Sequence, residues 1–390
     1  MEDRIMKVLA QETGGKSYNA HKYGLDHEER PYIEYTDDKI VWEKTAETTH
    51  HRSYVDLTKK SLDLASSGYQ LLTYFLDGSR RVYKVDDHSY AVSGGRREIY
   101  PIIAGQIGVG CCKRVDKIIT PECFKREIVI SVPDIANADG KPGFFDAMAI
   151  KLSRVPVLQR MGIEVAAVIP YSTSRNNTEK FEDRGTARIQ DRMIKAEKEL
   201  VADLVKKGML NSRNYLIKDG SLEYRPTPDI LRDSRKYQLF KNNYNWVLGV
   251  SKNFNPEVVL DVNKKPNPGY IADLKLYHRT PVALYRYKKP EIFGDINFAV
   301  WYIRIRDRSQ TRTAFDGIVK VEKILVTHEE EEHGIDSSLV DLLSALIINE
   351  RNPVCYGADA RWANHLYPVY LTESYVKSKY LSAESFLHLF

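Results

Sequence analysis

Two apolar runs in this chain of 390 residues stop on the same three residues. Tyr74 to Ser79 reads Tyr-Phe-Leu-Asp-Gly-Ser, and Tyr215 to Leu222 reads Tyr-Leu-Ile-Lys-Asp-Gly-Ser-Leu. A strand of Tyr, Phe, Leu and Ile, broken by a turn at glycine, delivers one carboxylate at the carboxyl end of a buried strand. Asp77 and Asp219 are those carboxylates. Ligands of open α/β sheets bind at such strand ends, so the two acids could converge on one spot. Asp-Gly is also a common hairpin turn, and the repetition is what favours a site. A third acid lies in the clearest helix of the chain, roughly Thr186 to Gly208. Its apolar stripe runs through Ile189, Met193, Ile194, Leu200, Val201, Leu204 and Val205 at helical spacing. Glu197 falls inside that stripe, whereas Glu199 falls with Lys195, Asp203 and Lys206 on the wet face. A buried acid is costly unless a partner, a wet stripe edge or a shared site compensates it.

If Asp77, Glu197 and Asp219 meet, their mutual repulsion has to be balanced. Two like charges about 4 Å apart repel by about 4 kcal/mol at an effective dielectric near 20. The balance is either a bound cation or a retained proton. All three groups are hard oxygen donors with no Cys or His among them, which points to Mg²⁺ or Mn²⁺ rather than zinc. Acting on a phosphodiester, such an ion polarises a phosphoryl oxygen and lowers the pKa of a bound water, so hydrolysis of a nucleic-acid backbone follows. Arg80 and Arg81 after the first motif, and Lys252 after a strand at Trp246–Val250, are candidates to hold phosphates; the alternative is ordinary surface charge. The chain carries no G-x-S-x-G elbow, no P-loop and no H-E-x-x-H.

The elements that position these residues follow in order. Leu71–Asp77, Arg80–Val85 and Ile99–Val109 read as an antiparallel meander starting at Asp77, with a turn at Ser93-Gly94-Gly95. Gly105, Gly108 and Gly110 do not form a nucleotide fingerprint, because no helix start follows them. Glu127–Pro133 and Gly162–Pro170 are further strands, with a helix opening at Pro142-Gly143-Phe144-Phe145 between them. Beyond Pro256 come strand candidates at Val282–Tyr287, Phe298–Ile305 and Gly317–Val326. One face of the second carries Arg304, Arg306 and Arg308, either a phosphate-tracking stripe or a solvated face. Asp336–Asn349 reads as a helix capped by Ser337 or Ser338. Strand with acid, two strands, inserted region, helix with acid, strand with acid is an order that resembles the ribonuclease H-like nuclease fold. The expected class is therefore α/β, an RNase H-like mixed sheet flanked by helices. To it are added an N-terminal arm or adaptor (1–68) and a C-terminal strand and helix region. Residues 69–390 would form the nuclease-like domain, with a middle insertion at about 122–185.

Composition sets the outer bounds. Hydrophobic residues make up 43% and charged residues 28% of the chain, enough apolar content for a sizeable core. The net charge of +5 is compatible with a polyanionic partner. Four cysteines without paired C-x-x-C spacing suggest neither a zinc cage nor a disulfide framework and favour a reducing compartment. No apolar run reaches membrane-spanning length, so a soluble cytoplasmic protein is expected.

With these residues in view, the chain resembles the NurA nuclease family. The likeness rests on Leu76-Asp77-Gly78-Ser79, on the acid in the helix before the second motif, and on Ile217-Lys218-Asp219-Gly220-Ser221-Leu222. It continues with Trp246-Val247-Leu248-Gly249-Val250-Ser251-Lys252 and a carboxyl-terminal Tyr367-Pro368-Val369-Tyr370-Leu371. The resemblance implies a manganese- or magnesium-dependent DNA nuclease, exonuclease or endonuclease on single strands or DNA ends. It also implies a homodimer or higher homo-oligomer that docks on HerA, a hexameric DNA-translocating ATPase, in end processing or anti-phage defence. The implied metal ligands fall on Asp77, Glu197 and Asp219, and the tail places Tyr367 in the site. The family's histidine, eight residues beyond that tyrosine, is replaced here by Tyr375, a poor metal ligand; His365, two residues before Tyr367, is either a substitute or a structural histidine beside Trp362. That departure leaves a second reading, a catalytically weak or inactive assembly subunit. A third, another ribonuclease H-like branch of Argonaute or transposase type, lacks an evident guide-binding segment.

Overall fold

Val, Ile, Tyr and Phe recur through residues 72–133, and in the computed structural model that stretch forms three long antiparallel strands. The structure describes residues 5–17, 22–25, 41–51, 53–174, 179–222, 230, 232–259, 265–286, 296–311, 313–353 and 362–390; Cys355 lies outside them. Ten strands follow one path across a mixed sheet: β1 (Val41–Thr45), β2 (Leu72–Ala91), β3 (Arg97–Val115), β4 (Ile118–Pro133), β5 (Val165–Tyr171), β6 (Tyr215–Asp219), β7 (Val247–Ser251), β8 (Ala283–Arg286), β9 (Phe298–Arg304) and β10 (Ile318–Ile324). Their spatial order is β1-β8-β9-β10-β7-β6-β2-β3-β4-β5. β6 runs parallel to both β2 and β7, and β5 parallel to β4; the remaining neighbours are antiparallel. The architecture is a mixed α/β fold with helices on both faces of a large sheet. Among the described residues no helix is long and apolar enough to cross a membrane.

Three expectations change here. Arg80 to Val85 is not a separate strand: β2 runs without a break for 20 residues, so Asp77 lies inside a strand rather than at its end. Gly78 makes no turn because β3 pairs with β2 on both sides of it, Asp77 opposite Gly110 and Gly78 opposite Val109. Arg304 is not a phosphate-tracking residue. Its buried guanidinium binds the carbonyls of Leu274, Asp316, Ala272 and Ala314 and ties two loops to β9. Arg306 is buried as well, and of the three only Arg308 is exposed.

Two helices sandwich the centre of the sheet. α4 (Phe181–Lys206) lays Ile189, Met193, Ala196, Leu200, Val201 and Leu204 against Leu76, Val82, Ile107 and Val109. On the opposite face α6 (Tyr367–Ser378) lies across β2 and β3, beside α5 (Ser337–Asn349). The glycines of β3 serve this packing: a Cβ on Gly108 or Gly110 would come within 2.8 or 2.6 Å of Val376. α1 (Ile5–Thr13) packs near α3 (Phe144–Ser153) at the β5 end of the sheet. Of the expected insertion, residues 122–133 complete β4 and the remainder supplies α3 and β5. Within the expected arm, β1 forms the far edge of the sheet and α2 (Thr58–Ser67) packs on α5.

A buried ion network holds that edge. Arg279, fully buried, pairs with Glu47 at 2.9 Å and with Asp341 at 2.7 Å, and Glu47 also accepts from the Val282 amide at 2.9 Å. Removing the guanidinium strands a buried carboxylate, which costs about 3–5 kcal/mol. Arg279→Ala is therefore expected to lower the unfolding free energy by that amount, read in denaturant titration as a lower midpoint with a slope close to wild type.

Candidate active site

The parallel pair β6 and β7 stop at Asp219 and Ser251, and the chain leaves β6 through Gly220, whose φ of +88° suits glycine. Buried Glu322 fixes that exit by accepting from the Leu222 amide at 2.6 Å and the Ser221 hydroxyl at 2.8 Å. A cavity of about 430 Å³ opens where the strands end, lined among others by Asp77, Glu197, Lys218, Asp219, Ser251 and Lys252. All six are three-quarters or more buried by side chain or residue exposure.

Strand alternation divides these groups between the two faces of the sheet. On the α4 side lie Gly78 and Glu197: a Cβ on Gly78 would stand 2.2 Å from Glu197 Oε1, so only glycine leaves room for that carboxylate. Lys218 Nζ pairs with Glu197 Oε2 at 3.1 Å and donates to the Asp219 carbonyl at 2.8 Å. On the α6 side lie Asp77, Asp219 and Lys252, with Glu373 reaching in from α6. Lys252 Nζ is 2.8 Å from Asp219 Oδ2 and 3.7 Å from Glu373 Oε2. The carboxylates of the sequence motifs thus line one cavity, with Glu197 across β2 from the other two.

The electrostatics follow from burial. The Asp77 side chain makes no hydrogen bond or ion pair with another described residue. Desolvation first, then the charges of Asp219 and Glu373, hold its carboxyl well above the usual 3.8. Burial likewise raises Glu197, with Lys218 pulling it part of the way back. Burial pulls both lysines down, but the carboxylates together outweigh it and leave each above its ordinary value: Glu197, Asp219 and Asp77 for Lys218, and Asp219, Glu373 and Asp77 for Lys252. Burial acts upward on Glu373, yet Lys252 and Lys377 leave it below its usual range.

The remaining sequence candidates sit around this cluster. Lys252 is not a surface cation but part of the cluster itself. Arg80 and Arg81 point to opposite faces: Arg80 bonds Gln190 of α4, a cavity residue, and Arg81 stacks over the Tyr380 ring at 5.2 Å. Tyr380 donates or accepts at Ser79, receives the Gly108 amide at 3.0 Å, and burial pushes its hydroxyl up to about 12. Tyr367 is 42% exposed at the start of α6. Tyr375 packs edge-on against Phe124, centroids 5.8 Å apart. Neither tyrosine touches the acids. His365 is buried between Trp362 and Tyr370. Two members of the cluster escaped the sequence reading. Lys218 stands inside a quoted motif without a role. Glu373 shares a helical stripe with Val369, Thr372 and Val376, the same signal that singled out Glu197.

Gly78→Ala is expected to push Glu197 off Lys218 and cost about 1–3 kcal/mol by overpacking. In a Glu197→Ala background the same change should cost much less, a coupling that thermal melts of the double-mutant cycle would measure.

The donors suit a hard divalent cation. The Asp77 carboxyl is buried and makes no side-chain hydrogen bond or ion pair with another described residue, and the buried Ser251 hydroxyl, also in the cavity lining, has no hydrogen-bond partner among the described residues. Among the described residues no three His, Cys, Asp or Glu stand close enough together to form a ready-made cage, because lysines stand between the acids.

The class defined so far is a mixed α/β protein with a cavity of carboxylates and lysines at its central strand ends. No protein-family model matches the sequence, and no curated protein matches it. Among solved structures it is similar to the crystal structure of the NurA nuclease from Sulfolobus solfataricus. The two share 10% identity over 85% of this chain and 92% of that one, with a TM-score of 0.40.

Proposed function

We propose that the chain is a divalent-metal-dependent deoxyribonuclease that hydrolyses phosphodiester bonds. The observation that carries this reading is the gathering of Asp77, Glu197 and Asp219 from three separate elements around one cavity, with Glu373 of α6 reaching Lys252 beside them. The strand arrangement supports it: β4-β3-β2 are antiparallel and β6 and β7 follow parallel to β2, with acids on β2 and β6, as a ribonuclease H-like reading would require.

Asp77, Asp219 and Glu373 would hold Mn²⁺ or Mg²⁺, with Glu197 across β2. A bound divalent cation supplies Lewis-acid polarisation of a phosphoryl oxygen and a water of lowered pKa. The chain's own groups do the rest. Lys218 fixes Glu197, and Glu322 fixes the turn that aims Asp219. Arg81, stacked on Tyr380, and Arg80, beside Gln190, lie four and three residues beyond Asp77 along β2 on its two faces, placed to hold the charged backbone of a DNA strand. Residues 69–390 would act as the nuclease domain. A homodimer and a HerA-like hexameric ATPase, in end processing or antiviral defence, are the partners the family resemblance implies.

The test is degradation of single-stranded and linear duplex DNA by the purified full chain with Mn²⁺, with Mg²⁺ and with EDTA. Cleavage that requires the ion supports the reading. DNA left intact in every condition, with and without an ATPase partner, overturns it in favour of a non-catalytic assembly subunit.

A further inference from the structure

We infer that Cys111 and Cys123 form a redox-active pair that closes to a cross-strand disulfide and staples β3 to β4. The inference goes beyond the metal-dependent reading above and does not depend on it.

Strand pairing makes this pair, since no C-x-x-C spacing announces it. β3 and β4 run antiparallel, and their register sets Cys111 directly opposite Cys123. The adjacent pair, Gly110 and Phe124, faces α6: a Cβ on Gly110 would meet Val376, Phe124 and Tyr375. Alternation therefore turns both cysteines toward α4, where Cys111 lies in the apolar cluster with Leu200 and Leu204 and Cys123 packs against that cluster. Opposed residues hold their Cβ atoms about 4.5–5.5 Å apart, and a disulfide needs about 3.5–4.5 Å, so a small approach closes the bond. The backbone has room for it. The register slips between Cys111 and Cys112, leaving Glu122 as a bulge residue beside the pair, where the ladder is interrupted.

The two thiols have different parts. Both are free, Cys111 fully buried and Cys123 partly exposed, so a reagent from solvent meets Cys123 first. The thiolate is the attacking form, and the direct interaction of the thiols favours it at Cys123. That interaction, helped by Lys207 against burial and Glu122, holds Cys123 below its usual value, whereas the same interaction and burial raise Cys111. Cys112 is no rival, since it sits beside Thr372 of α6 on the other face.

The oxidant is a low-molecular-weight disulfide. The Cys123 thiolate attacks one of its sulfurs, forming a mixed disulfide and expelling one thiolate. Cys111 then attacks the Cys123 sulfur, forming the cross-strand bond and expelling the second thiolate. The two protons lost by the cysteines pass to the two released thiols. The protein dithiol is oxidised by two electrons, and the small disulfide is reduced to two thiols.

The experiment treats the purified full chain with oxidised glutathione, blocks the remaining thiols with an alkylating reagent and maps the peptides by mass spectrometry. A Cys111–Cys123 link is expected, with Cys112 and Cys355 alkylated and the link lost on adding dithiothreitol. The oxidised protein should melt a few degrees higher than the reduced one, as a closed loop does, and Cys123→Ser should show neither the link nor the shift. Cys111→Ser should instead keep glutathione on Cys123, because the thiol that displaces it is gone. A lasting glutathione adduct on Cys123 of the wild type, a link through Cys112 or Cys355, or no reaction at all would overturn the inference. An oxidised protein that melts no higher than the reduced one would overturn the staple. If circular dichroism shows Cys111→Ser unfolded, the wild-type map and Cys123→Ser decide.

Discussion

Asp77→Asn should be more thermally stable than the wild type without metal and almost inactive with it. The native carboxyl is buried, faces Asp219 and Glu373, and makes no hydrogen bond or ion pair with another described residue. Replacing it with a neutral group of the same shape therefore breaks no hydrogen bond and removes the repulsion from Asp219 and Glu373, which outweighs the attraction to Lys252 that is lost. A gain of about 1–2 kcal/mol is in the range released when a functional site gives up its strain. The pH dependence gives the sign. The folded pKa is raised above the ordinary 3.8, so the stability carried by the protonated acid is full below 3.8 and is lost as pH rises through the folded value. The variant's advantage should thus be absent near pH 3, grow as the wild-type group is forced to ionise, and then level off. Mn²⁺ competes with that proton, so its affinity for the wild type should strengthen with pH over the same window and its binding should release a proton. The variant loses both effects. Cleavage of single-stranded DNA should fall on the order of 10²–10³-fold, the usual cost of removing one group that stabilises developing charge. Melting curves with and without Mn²⁺, from pH 3 to pH 8, test the stability effects, and a single-stranded DNA cleavage assay on both proteins tests the loss of activity. A less stable Asp77→Asn protein would mean that the carboxyl has a partner and the site is a structural ion network.

The strands and the long helix were legible because their hydrophobic periods are strong, and the turn after Asp219 because Gly220 needs a positive φ. The course of the chain at Asp77 was not legible in the same way. An identical Asp-Gly-Ser ends one strand and runs through the middle of another, and the difference is set by the neighbour: β3 continues to pair past Gly78, whereas Gly220 keeps only a bridge to Val250. Pairing of that kind is a long-range fact that a six-residue window does not contain. The burial of Arg304 failed to show for a similar reason. An alternating apolar and basic run reads as a half-wet strand, and only the loops that fold over β9 turn its cation into a clasp for four backbone carbonyls. Lys252 reads from sequence as a phosphate hand because a lysine after a strand is normally exposed. Its burial depends on α6, more than a hundred residues further along the chain.

Glu373→Gln should abolish Mn²⁺-dependent cleavage, while Tyr375→Phe should leave it within about twofold, as changes away from the reacting groups commonly do. The family resemblance puts the last functional position of the tail at Tyr375, but the geometry of α6 distinguishes the two residues. Val369, Thr372 and Val376 face the sheet, and Glu373 falls on the same stripe, one turn beyond Val369. Tyr375 is rotated away from it onto the Phe124 ring at the β4 side, where its hydroxyl meets none of the acids. A carboxylate at 373 supplies a hard oxygen donor from the helix that a histidine at 375 would otherwise serve, and a hard donor suits Mn²⁺ or Mg²⁺ better than it suits zinc. Glu373→Gln preserves size and leaves Lys377 in solvent, so the fold should persist; Lys252 keeps Asp219 as its closer partner at 2.8 Å. Mn²⁺ affinity should weaken by at least about 10–100-fold, the scale seen when a group supporting a metal is removed. Calorimetric titration of both variants separates the outcomes. Undiminished Mn²⁺ binding by Glu373→Gln, together with lost binding by Tyr375→Phe, would return the last ligand to position 375 and require α6 to turn by roughly half a helical repeat when the ion binds.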